Sequence, residues 1–253
     1  MARRRVRLGS PRRRSRPSSG TCAMAVASAP PVDTFRHMTT TPKPPPDVAK
    51  RLVAWGVDDA RLEALGRYVA ILDRWRQRIN LIGPGDLDEI WRRHVLDSAQ
   101  AWPHVDDPTA PLLDLGSGAG LPGLILSILG ATDVTLVDSD QRKTAFLREA
   151  AREAGVRPTI VAARFDAALA GREGAYLTVT GRAVAPLSRL APVLAQALAP
   201  AGYALLHKGA QVEKELTEAG NSWTMRHILI PSITGSGGVL AKIWGLQQNG
   251  EPR

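Results

Sequence analysis

Residues 112 to 123, LLDLGSGAGLPG, constrain this chain more than any other stretch. An apolar pair, Leu112 and Leu113, runs into Asp114. Gly116, Gly118, Gly120 and Gly123 then allow a tight turn and a close approach of backbone to ligand. Pro122 suits the first turn of a helix, where its missing N–H would be unpaired anyway, and the run LILSIL carries that helix to Gly130. Strand, glycine loop, helix is the resulting pattern. Such a loop lies at the carboxyl end of a strand, where open α/β sheets bind ligands.

A second strand, VTLVDS (134 to 139), ends in Asp138, 22 positions after Gly116. An acidic side chain there can accept hydrogen bonds from both hydroxyls of a ribose. The chain thus carries two coordinated marks of a nucleotide-like cofactor. Gly118-Ala-Gly120-Leu-Pro-Gly123 formally satisfies G-x-G-x-x-G, so an NAD-dependent oxidoreductase is one candidate. In dinucleotide folds, however, the glycines follow the strand at once and seat a pyrophosphate on the helix N-terminus. Here Asp114-Leu-Gly-Ser intervene. A carboxylate at the strand end fits better beside a cofactor with an ammonium group and no phosphate, such as S-adenosylmethionine.

The rest of the chain alternates strands and helices. Amphipathic helices are expected from Asp47 to Gly56 and from about Asp58 to Asn80, and a third, through about Trp102, after an Asp86/Glu89 capping box. Beyond the loop come a helix from Asp140, a strand PTIVAARF, a fourth strand running into Arg182, a helix from Leu187 to Leu198 and a fifth strand ending near Lys208. A helix from Glu213 to Ala219 precedes two last strands, HILIP and VLAKIW. This alternation predicts an α/β, Rossmann-like, seven-stranded and mostly parallel sheet with helices on both faces and an amino-terminal helical cap. The expected divisions are 1–46, 47–105 and 106–253.

Charge is unevenly placed. Of a net +9, residues 1 to 37 hold +8, from nine Arg and Asp33, leaving +1 for the remaining 216 residues. The Arg- and Pro-rich stretch to residue 46 has no periodicity and is expected to lack a fold. It reads as a phosphate-gripping arm, as a poor secretion signal ending at Ala27-Ser28-Ala29, or as upstream sequence before a start at Met38; the last is preferred. No apolar run approaches the roughly 20 residues that span a bilayer, and the single Cys22 excludes an intrachain disulfide and a Cys-based metal site. No metal and no membrane partner are expected, and the cytoplasm is the expected location. Arg142, Lys143, Arg148 and Arg164 are candidates for RNA contact, and His94, in WRRHVLDS with Arg92 and Arg93, is read as structural.

The ordered segments INLIG, RRHVLDS, LLDLGSGAGLPGLILSI, LVDSDQRKTAFLREA, ARFD, GRAVAPL and LLHKG resemble the class I, S-adenosylmethionine-dependent guanine-N7 methyltransferases of small-subunit (16S) ribosomal RNA, the glucose-inhibited division protein B family. The likeness covers roughly Trp55 to Gly209. It implies that Gly116 and Leu121 line the cofactor, that Phe165 and Asp166 flank its adenine, and that Arg182 reaches the site from the fourth strand; Gly118 and Asp138 are counted with them as cofactor-binding. It also implies 16S ribosomal RNA or a small-subunit particle as partner, with Arg182 and Lys208 holding guanine O6 or a phosphate. Guanine N7 carries a free lone pair and needs no general base, which agrees with the absence of any Ser/His/Asp or paired-carboxylate constellation. Gly181 in place of the family's usual Ser, and the segment after Gly220 with SITGSGG, depart from the pattern. A non-enzymatic RNA-binding protein with a vestigial loop is the further alternative.

Overall fold

The computed structural model describes residues 41–235 and 237–250. The Arg-rich segment 1–40, with the proposed start at Met38, lies outside the described residues. Residues 41–45 have a place: Pro45 is buried, and a Cβ on Gly66 would fall 2.5 Å from the Pro42 carbonyl oxygen. Residues 41–45 thus pack against the helix that holds Gly66, although the sequence places them in the stretch expected to lack a fold.

Helix α1 (Pro46–Ala54) starts on a proline, and α2 (Asp59–Trp75) starts at Asp58, whose carboxylate accepts from Arg61 N–H at 2.8 Å. Asp86 caps α3 (Leu87–Ile90) in the same way, accepting from Glu89 N–H at 2.8 Å. The single helix expected to follow is divided: a π-helical turn spans Trp91–Leu96 before α4 (Asp97–Ala99). Such turns carry one extra residue and often mark functional sites.

The sheet comprises β1 (Leu112–Leu115), β2 (Val134–Asp138), β3 (Thr159–Ala162), β4 (Tyr176–Arg182), β5 (Leu198–Lys208), β6 (Trp223–Pro231) and β7 (Val239–Gln248), in the order β3-β2-β1-β4-β5-β7-β6. Pairings from β3 through β5 are parallel, and β7 runs antiparallel to both β5 and β6. The order reverses between β1 and β4, so the crevice at their carboxyl ends is the topological switch point at which such sheets bind ligands. Helices α5 (Gly123–Leu129) and α6 (Gln141–Ala154) cover one face, and α8 (Leu187–Ala197) and α9 (Val212–Gly220) the other.

Strand alternation decides which β1 side chain meets which layer. Leu112 joins the core shared with α1, α2, α5 and α6, and Leu113 and Leu115 join the core under α8. Helix α5 is buried at every residue, which explains a sequence that is apolar but for Ser127. Among the described residues, no helix is long and apolar enough to cross a membrane.

Candidate active site: two clefts at the carboxyl end of the sheet

The larger cleft, 510 Å³, opens at the switch point between β1, β2 and β4. Gly116, Asp138 and Ser139 form one wall, Phe165 and Asp166 a second, and Val184, Leu190 and Val193 a third. Gly116 has a φ of +62°, and a Cβ there would point at Val184 (3.4 Å) and Phe165 (3.8 Å). A glycine is thus favoured for conformation, since a Cβ would meet only ordinary contact. Phe165, expected just beyond the third strand, begins the short helix α7 (Phe165–Leu169) after β3 stops at Ala162.

Asp138 is fixed by backbone donors: Gly118 N–H gives to Oδ2 at 2.9 Å and Asp140 N–H to Oδ1 at 2.8 Å. Each carboxylate oxygen retains a lone pair. Gly118 thereby acts on the cleft through Asp138 and does not line it. The side chain of Leu121, expected to line the cofactor, is buried in the core beneath the loop.

Asp114 also departs from expectation. Its side chain is fully buried on the α5 face, where Oδ1 accepts from Thr180 Oγ1 at 2.7 Å and Oδ2 has no hydrogen-bond partner. It therefore presents no carboxylate to a ligand ammonium. Burial pushes its pKa up to about 6. The folded state then binds a proton more readily than the unfolded chain between about pH 4 and pH 6, so this group's contribution to stability falls as pH rises through that window. Asp114→Asn removes the charge. The stability of the variant relative to wild type should rise by about 3 kcal/mol from pH 4 to pH 7 in denaturant titrations; a difference independent of pH would show that Asp114 ionises normally.

The smaller cleft, 260 Å³, lies beside the first and shares Ala183 with it. Ala183 has a φ of +54°, unfavourable for a residue with a Cβ. Asp97, Arg182, His207, Lys208, Ser232 and Val239 are among its lining. Arg182, expected among the cofactor ligands, is in this second cleft because its guanidinium is drawn to α4: Nη1 lies 3.2 Å from Asp97 Oδ2, and Nη2 donates to His94 Nδ1 at 3.0 Å. Burial, reinforced by Arg182, lowers the His94 pKa to about 4, so this histidine is a neutral acceptor. Lys208, expected to hold the substrate, is engaged elsewhere, donating to Ala185 O and Glu215 Oε2, both at 2.7 Å. That Glu215 oxygen also accepts from Leu187 N–H at 2.9 Å, so the pair ties α9 to the start of α8.

The basic candidates separate. Lys143 and Arg164 line the large cleft, as does Arg189 in the first turn of α8, which sequence reasoning missed. An Arg as the one charged residue of LSRLAPVLAQA was the available signal. Arg142 pairs with Asp140, and Arg148 faces a separate groove with Arg152 and Arg157. Arg92 binds Asp47 and Asp88, and Arg93 binds Glu89. Among the described residues, no group of three or more His, Cys, Asp or Glu is arranged to hold a metal ion.

Gly123 at the start of α5 is buried against the Asp114 side chain, and no residue of α5 lines the large cleft. The family model for rRNA small subunit methyltransferase G (GidB) matches residues 61–239. The chain belongs to this family. The ribosomal RNA small subunit methyltransferase G of Rhodospirillum centenum is 45% identical, over 75% of this chain and 87% of that one. That of Paramagnetospirillum magneticum is 43% identical (73% and 89% covered), and that of Rhodospirillum rubrum 47% (65% and 80%). As a member of the family it is an S-adenosylmethionine-dependent methyltransferase. The cleft fits that cofactor: a Cβ-free floor at Gly116, an immobilised Asp138 with lone pairs to spare and an apolar wall at Phe165 and Val184 suit a nucleoside without phosphates.

Proposed function

We propose that this protein transfers the methyl group of S-adenosylmethionine to N7 of a guanosine in 16S ribosomal RNA, in the cytoplasm. The observation that carries the reading is the pair of clefts that meet at Ala183, one suited to the nucleoside cofactor and the other lined by an oriented arginine, in a chain of this family. In this reading Asp138 receives the ribose hydroxyls and Phe165 and Asp166 border the adenine. Gly116 admits the cofactor against the backbone, and Gly118 holds Asp138 in position.

When bound, S-adenosylmethionine supplies an electrophilic methyl group. Guanine N7 attacks with its own lone pair, so the protein need not remove a proton. Its residues work by placement. Arg182 offers donors to an acceptor of the target nucleotide, O6 or a phosphate oxygen, and His94 stays neutral beside it. Lys143, Arg164 and Arg189 make a basic rim that draws the RNA backbone to the cleft.

The test is transfer of labelled methyl to small subunits that lack the modification, followed by nucleoside analysis of 16S RNA. Label is expected in 7-methylguanosine. Label in another nucleoside would overturn the substrate, and NADH binding without S-adenosylhomocysteine binding would overturn the enzyme class.

A further inference from the structure

Asp97 gathers more polar partners than any role in holding α4 requires. Its Oδ1 accepts from Gln100 Nε2 at 2.8 Å and Thr234 Oγ1 at 3.1 Å, with Ser232 Oγ at 3.4 Å. Its main-chain oxygen is 2.7 Å from His207 Nε2, and its Oδ2 faces Arg182 Nη1 at 3.2 Å. The donors come from separate parts of the chain, among them the residue after α4, the end of β5 and the β6–β7 loop.

From this convergence we infer that Asp97 is a positioning residue: its carboxylate, braced by Ser232 and Thr234, fixes the direction in which Arg182 presents its guanidinium to the target nucleotide. The inference rests on the proposed reaction, in which Arg182 meets the RNA. Stability alone does not account for the pair. The Arg182 and Asp97 side chains are only 24% and 14% exposed, and desolvation at such depth offsets much of the attraction between the charges. What the pair does supply is direction. Nη2 is hydrogen-bonded to His94, while Nη1 is paired with the Asp97 carboxylate by charge and proximity without a hydrogen bond, and together the two contacts bias the plane and direction of the guanidinium. His94 in the π-helical turn and Asp97 at the start of α4, three residues apart, both meet the Arg182 guanidinium. The SITGSGG loop contributes Ser232 and Thr234, whose hydroxyls keep the Asp97 carboxylate from rotating.

A double-mutant cycle in methyl transfer to unmodified small subunits tests this. Asp97→Ala should lower kcat by about tenfold or more while S-adenosylhomocysteine affinity is unchanged. In an Arg182→Ala background the same substitution should cost less than about twofold, because the group it directs is gone. Asp97→Asn, which preserves the Gln100 bond but not the charge, should lie between. Thr234→Val should lower kcat by about threefold with little change in melting temperature, and guards against Asp97→Ala failing to fold. Costs that add in the cycle, or a loss confined to melting temperature, would overturn the inference. Absence of label from 16S RNA with the wild type would overturn the reading beneath it, and the inference with it.

Discussion

Asp138→Ala is expected to weaken S-adenosylmethionine binding by about a hundredfold while leaving affinity for RNA unchanged. Two charge-assisted hydrogen bonds to a ribose are lost, each worth about 1.5 kcal/mol or more net, so the sum approaches 3 kcal/mol. A second loss compounds the first. Gly118 N–H and Asp140 N–H, at 2.9 and 2.8 Å, forfeit their common acceptor, and the glycine loop loses the tie that holds its turn beside β2. Asp138→Asn retains one acceptor oxygen and should show a smaller defect. Calorimetric titration with S-adenosylhomocysteine measures the effect directly; an affinity for Asp138→Ala within threefold of wild type would remove Asp138 from the binding site.

What could be foreseen from residues alone follows physical lines. The glycine loop, its flanking strand and Asp138 were legible because turns and strand ends are specified locally. The cap at Asp86 was legible for the same reason: its bond to Glu89 N–H spans three residues. Asp114 was misplaced because an acid is seldom wholly buried, and only the alternation of β1 against α5 shows that it faces inward. Arg182 and Lys208 were both expected to hold the target nucleotide, and each is paired with an acid of the protein. Lys208 had a hint in Glu215, seven positions on, whereas the Arg182 partner Asp97 lies 85 positions away, beyond any local pattern. The π-helical turn leaves no periodic mark over its six residues. The last two strands were found, but their antiparallel return, which brings Ser232 and Thr234 to Asp97, depends on contacts across the sheet.

The glycines of the loop are not equivalent, and their separate substitution should show it. Gly123→Ala is expected to lower stability by about 3 kcal/mol. Its φ is ordinary, but a Cβ would overlap the Asp114 side chain and come within 2.6 Å of Leu136 Cδ2. Neither neighbour can yield. Asp114 is held by Thr180 between strand and helix, and Leu136 is fully buried under α5. Relief therefore requires α5 to move away from β1 and β2, which also shifts the loop that shapes the cofactor cleft. Gly118→Ala meets only ordinary contact, 3.7 Å from Gly116 O, and its cost is the conformational one of a φ of +53°, about 1 kcal/mol. For a chain of this size the difference corresponds to roughly 4–8 °C in melting temperature, with Gly123→Ala the lower. Equal melting temperatures would mean that α5 is not pressed against the Asp114 carboxyl, and the account of why that acid is buried and raised in pKa would fail with it.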